Sequence, residues 1–170
     1  MKTVLIPTDY RIQSLEYIPH LLDKFHPEAV EVVMVHMMSI TDCERELMML
    51  SRRSAEYRHI PEEFYQTCLD LRNEHDGQLK NIRLEFFYGN TSVVFLNFLE
   101  ANNIDAVLQI PGYHYKKLNK ASVDPDSMIK RCAGKITRIN ALQLEKPQAA
   151  SQQHTQTEDV QEQNLTEQYA

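Results

Sequence analysis

Asp9 follows the short apolar run TVLIPT and is the acidic residue placed to meet a ligand where a buried strand would end. A second concentration of chemistry lies a hundred residues further on, in QIPGYHYKKLNKASVDPDSMIKRC at 109–132. There Gly112, His114, Lys116, Lys117, Lys120 and Ser127 stand between another apolar run and a helix signal. Lysines and a hydroxyl crowded into one loop could grip an anion by side chains, and a glycine lets the backbone approach one closely. His36, leaving a further apolar run, would join them at the same end of a sheet. Asp9, His36, Gly112, Lys116, Lys117, Lys120 and Ser127 are therefore the candidate ligand-binding residues.

Two other constellations can be drawn. Asp9, His36 and His114 offer donors to a metal, but no close His/Cys pair supplies the spacing such sites carry. Ser127, His114 and Asp9 offer a nucleophile, a base and an orienting acid, but no nucleophile-elbow sequence surrounds the serine. No metal site, no catalytic residue and no enzyme is expected. Plainer roles compete throughout. Asp9 also suits a turn after Pro7, the lysines suit a solvated surface, and Cys132, Met37–Met38 and Met48–Met49 suit packing. Tyr113 and Tyr115 read as residues that cover or plug a cleft.

These side chains meet only if the intervening elements bring them together. Apolar residues recur at three and four between Ile12 and Phe25, a helix in which Ser14 is a candidate N-cap and Pro19 forces a kink or a late start. AVEVVMVHMM at 29–38 is apolar at successive positions, as in a strand covered on both faces. Residues 42–80 are polar and amphipathic. Pro61 splits them into helices at about 42–57 and 61–76, the second opening on two acids and ending near Gly77. Strands follow at 81–89, 104–112 and 135–145, with a helix at 91–103 and another from Pro125 to about Cys132. The alternation predicts an α/β fold: a doubly wound five-stranded parallel sheet with helices on both faces. Ligands of such sheets sit beyond the carboxyl ends of the strands.

The bulk properties exclude several classes. The 170 residues carry a formal charge of −6, without the basic excess of a nucleic-acid-binding surface. No run approaches the ~20 apolar residues of a membrane span. MKTVLIPTDY reads as a strand and not as a secretory leader. Cys43, Cys68 and Cys132 read as free thiols, and the expected location is cytoplasmic. The domain is placed at 1–145. Beyond it, 146–170 has seven glutamines and four acids against one lysine, a composition that does not bury enough surface to order itself. This tail is expected to be disordered and available to a protein partner.

KTVLIPTDY, SLEYIPHLLDKF, VEVVMVHMM and FFYGNTSVVFLNFLEANNIDAVLQIPG, taken in order, resemble the successive pieces of a universal stress protein domain over about residues 2–144. The resemblance implies a Rossmann-like, adenine nucleotide alpha hydrolase-like sheet of order 3-2-1-4-5. It also implies a stress-response role and a homodimer built through the fifth strand. Many members bind ATP, with an Asp at the end of the first strand on the adenine, which Asp9 matches. The family's glycine pattern after the fourth strand is not matched. Ile110 and Tyr113 stand at its first two glycine positions, no glycine occurs near Val123–Asp126 for the third, and only the hydroxyl, Ser127, survives. Gly112 is out of register.

Bulk at Ile110 and Tyr113 denies a phosphate its close backbone approach. Asp124 and Asp126, at the start of the last helix, already satisfy its dipole. The expectation is a divergent member with a degenerate nucleotide pocket, neither ATP nor AMP as cofactor, and a regulatory or scaffold role. The alternative is a sensor that holds a nucleotide or other anion through Asp9 and the Lys116–Lys120 loop.

Overall fold

The structure is a computed structural model and describes residues 1–40 and 56–144. The helix read at 42–57 and the tail read at 146–170 lie outside the described residues, except that 56–59 form a 3-10 turn.

Five strands form one parallel sheet: β1 (Lys2–Pro7), β2 (Val30–Met38), β3 (Leu79–Tyr88), β4 (Ala106–Gln109) and β5 (Arg138–Asn140). Their order is β3-β2-β1-β4-β5, as expected. The central strand, β1, pairs Val4 with Val32 on one side and with Ala106 on the other.

Its alternating side chains explain the two apolar faces. Val4 and Ile6 join Val32, Met34 and Leu108 in the core on one face, while Leu5 joins Val33, Val35 and Val107 on the other. Helices α1 (Ile18–Phe25) and α2 (Glu62–Glu74) and the short α5 (Ala141–Leu144) contribute to the first core. Helices α3 (Ser92–Ala101) and α4 (Pro125–Arg131) close the second. A strand buried on both faces needs apolar residues at every position, which is why β2 carries no alternation.

Several boundaries differ from expectation, each for a local reason. The helix read from Ile12 is two pieces, a 3-10 turn at Ile12–Leu15 and then α1, in which Pro19 occupies the first turn, where its missing N–H costs nothing. Ser14 is not the N-cap, because its hydroxyl is buried and bonded within the turn after β1. β4 is shorter than 104–112, since Ile110 begins a tight turn whose third residue, Gly112, has φ +77°.

The largest difference is at 135–145. Only Arg138–Asn140 pair as a strand, and α5 follows at once. Ala141 and Leu144 are three apart and both pack on the first core, so helical spacing won over the alternating pattern. Helices α3 and α4 do carry side-chain N-caps. The Thr91 hydroxyl accepts from the N–H of Val94 at 3.3 Å, and the Asp124 carboxylate accepts from the N–H of Asp126 at 2.9 Å.

Candidate functional site

The chain segments leaving the carboxyl ends of β1, β2 and β4 meet around Asp9, which is 2% exposed. The turn that carries it is built by hydroxyls. Thr8 Oγ1 accepts from the N–H of Tyr10 at 2.8 Å and lies 2.7 Å from Ser14 Oγ, which donates to the carbonyl of Arg11. Tyr10 is held at φ +57°, a left-handed conformation unusual for a bulky residue. Its ring is buried, and its hydroxyl donates to the carbonyl of Glu85 at 2.7 Å.

The Asp9 carboxylate is fully engaged by the protein. Oδ1 accepts from the hydroxyl of Tyr113 at 2.9 Å and from the N–H of Arg11 at 3.2 Å. Oδ2 accepts from Arg11 Nε at 2.7 Å and from the backbone N–H of Lys116 at 2.9 Å. Burial pushes the carboxyl up. The bonds from Lys116, Tyr113 and Arg11 together pull it further down, so it rests below the usual aspartate value. The same contact and burial push the Tyr113 hydroxyl well up, burial being the larger cause.

The loop after β4 fills the space over Asp9. Ile110 is buried in the core. Pro111 and Gly112 occupy the two central positions of a turn closed by the N–H of Tyr113 on the carbonyl of Ile110, the arrangement of a type II turn. Tyr113 then packs against Tyr115, ring centroids 4.6 Å apart, and under the guanidinium of Arg11 at 5.4 Å. Arg11 also donates to the carbonyl of His114, tying the turn after β1 to the loop after β4.

The remaining sequence candidates are placed as follows. His36 is buried beside Asp9's turn with both ring nitrogens engaged, Nδ1 on the carbonyl of Thr8 and Nε2 on Ser122 Oγ, each at 2.8 Å. Burial pushes its imidazole below the ordinary histidine value, against the opposing bond to Thr8 and the charges of Asp9 and Glu56. Lys116 reaches Asp9 by its backbone N–H, while its side chain and those of Lys117 and Lys120 are exposed and in no ion pair among the described residues. Ser127 is exposed and donates to the carbonyl of Asp124 within its own helix turn. Asp126 is 3.9 Å from Lys130, and burial, with Asp124 beside it, pushes its carboxyl up. Among the described residues no three His, Cys, Asp or Glu side chains gather as metal donors.

Asp9, Gly112, Lys116 and His36 thus share one region, with Ser127 facing solvent on α4. Two further residues, Arg11 and Ser122, belong to the same network. Arg11 was open to detection as a cation two positions after Asp9 in a turn. Ser122 had no sequence signal, being 86 residues from His36.

No protein-family model matches the chain, and no curated protein matches it. Among solved structures, the universal stress protein UspA from Lactobacillus plantarum aligns with a TM-score of 0.51 at 15% identity, over 82% of this chain and 96% of its own. The fold is that of a universal stress protein. A second member of the universal stress protein family, from Burkholderia pseudomallei, aligns at 12% identity and a TM-score of 0.44 over 82% and 94% of the two chains. On the universal stress protein fold, Asp9 lies beyond the carboxyl end of β1, the side on which open α/β sheets place their ligands. No helix among the described residues is long and apolar enough to cross a membrane.

Proposed function

We propose that this chain is a divergent universal-stress-protein-like regulatory or scaffold protein, non-catalytic, with a degenerate nucleotide pocket. It acts through self-association and partner binding, without ATP or AMP as a cofactor. The observation that carries the reading is the carboxylate of Asp9, whose two oxygens already accept four bonds from Tyr113, Lys116 and Arg11. An adenine arriving there would have to displace a tyrosine hydroxyl, a guanidinium and a backbone N–H. A phosphate would meet the side chain of Tyr113, where a close backbone approach needs glycine.

Thermal melting with millimolar ATP or AMP, with and without Mg²⁺, is expected to leave the midpoint unchanged. A ligand at 100 times its Kd would add about 2.7 kcal/mol. A clear upward shift with either nucleotide would overturn the degenerate-pocket reading. A second reading, an anion sensor using Asp9 and the lysine loop, is favoured by one feature, the exposed side chains of Lys116, Lys117 and Lys120, which form no ion pair among the described residues. It requires a shift that disappears in the double variant Lys116→Glu/Lys117→Glu.

Self-association is assigned to β5, an edge strand of the sheet. Leu142, 58% exposed, stands on α5 directly after it and gives that edge an apolar contact. Gel filtration at low micromolar concentration is expected to give a dimer, and Leu142→Glu to give a monomer. Wild-type elution as a monomer would remove the assignment. The segment 146–170 is proposed to contact a protein partner, and the location is proposed to be cytoplasmic.

A further inference from the structure

The cover over Asp9 is joined to β2 by backbone bonds from Ser39 to Ala121 and from Val123 to Met37, and, through Ser122, by the side chain of a buried histidine. Nδ1 of His36 faces the carbonyl of Thr8, which can only accept, so the proton sits on Nδ1 and Nε2 must accept from the hydroxyl of Ser122. Ser122 Oγ in turn accepts from the N–H groups of Leu118 at 3.0 Å and Asn119 at 3.3 Å. Its capacity is then full, with one proton given and two lone pairs used.

We propose that His36 and Ser122 form a pH-operated latch: protonating the imidazole turns Nε2 from acceptor to donor, and Ser122 must release the loop at 116–119 to take it. A protonated ring would bring a third donor to an oxygen with two lone pairs. Either the N–H groups of Leu118 and Asn119 lose their acceptor or Nε2–H is left unsatisfied beside the buried rings of Tyr10 and Phe86. Among the described residues, the redirected hydroxyl proton would have Met38 Sδ, 3.8 Å from Ser122 Oγ, a weak acceptor. Release of Leu118 and Asn119 loosens the segment whose Lys116 N–H closes over Asp9.

Among the described residues, the charged and titratable groups facing His36 are few. From the turn after β1 come Asp9 and the hydroxyl of Tyr10, and from the 56–59 turn comes Glu56; the nearest ring on β3 is the uncharged Phe86. Asp9 and Glu56 favour the imidazolium, and burial, the larger influence, disfavours it. The folded-state value therefore lies below the ordinary 6.5. Stability linked to the neutral ring is complete above that ordinary value and is lost as pH falls from it through the folded-state value.

The latch acts on the same cover as the proposed function, but its readout uses no nucleotide, so the two can fail separately. Nitrogen-15 resonances of the His36 ring, followed from about pH 7.5 to about pH 5, report tautomer and protonation. Amide exchange, corrected for its intrinsic pH dependence, reports the loop. Protection at Leu118 and Asn119 is expected to drop about tenfold or more as the ring protonates, with Val33 and Val107 in the sheet unchanged. His36→Gln, which keeps an acceptor without a titrating charge, is expected to hold protection constant. Undiminished protection with a protonated ring, a ring still neutral at the acid end, or the same loss in His36→Gln would each overturn the latch. Should His36→Gln fail to fold, Ser122→Ala serves instead. Fast exchange at both pH values supports the proposal, and wild-type protection that still falls with acid defeats it.

Discussion

Replacing Asp9 by alanine is expected to lower folding stability by about 3 kcal/mol, the scale of losing several hydrogen bonds to a buried charged acceptor once partial rehydration of the donors is allowed for. The donors differ in what they lose. Arg11 has 42% of its side chain exposed, so its guanidinium turns to water and the ion pair itself contributes little. The hydroxyl of Tyr113 and the N–H of Lys116 are the costly orphans, because the loop is shaped to deliver both to one carboxylate.

Asp9→Asn retains one acceptor oxygen and should cost less than half as much. Urea unfolding should move the midpoint of the alanine variant with an unchanged slope. The acid limb gives a second check. A carboxylate held below its usual value adds stability that is complete above its unfolded pKa, about 3.9, and is lost as pH falls through the folded-state value. Wild type should therefore weaken below about pH 4 by an amount missing from Asp9→Ala. An alanine variant as stable as wild type would mean that Asp9 does not hold the cover.

Much of the scaffold was legible because it rests on periodicity. Val30–Met38 had to be a strand covered on two faces, since a helix with that run would expose apolar side chains on its solvent side. Asp124-Pro125-Asp126 announced a helix start through residues whose chemistry suits nothing else so well. The site was only half legible. Asp9 and Gly112 stood out by type, and Gly112 takes the left-handed position of a turn. The lysines drew attention by charge, yet the contribution of Lys116 is a backbone N–H that any residue but proline could supply. His36 stood out by type, but its partner Ser122 is joined to it only by the fold. The fifth strand was overread because ITRINALQLE alternates, and alternation over few residues also fits a short strand followed by a helical turn.

Phe64→Ala is expected to cost about 3–5 kcal/mol, a large share of the 5–15 kcal/mol that keeps such a domain folded. Phe64 is wholly buried in the first turn of α2 and meets the ring of Tyr10 edge-on, centroids 5.3 Å apart at 86°. That contact reaches the turn that carries Asp9. Tyr10 occupies a left-handed conformation that costs roughly 1–2 kcal/mol for a residue with a side chain, and it stays there because its ring is packed by Phe64 and Phe86 and its hydroxyl is bonded to Glu85. With Phe64 gone, one wall of that packing is lost and the peptide between Asp9 and Arg11 is free to relax. The four bonds on Asp9 then weaken without any change in the residues that make them. A double-mutant cycle of Phe64→Ala with Asp9→Ala should accordingly fall short of additivity by about 0.5–3 kcal/mol, although the two side chains share no hydrogen bond. Strict additivity would show that the turn around Asp9 keeps its shape independently of α2, and that the strain at Tyr10 is borne elsewhere.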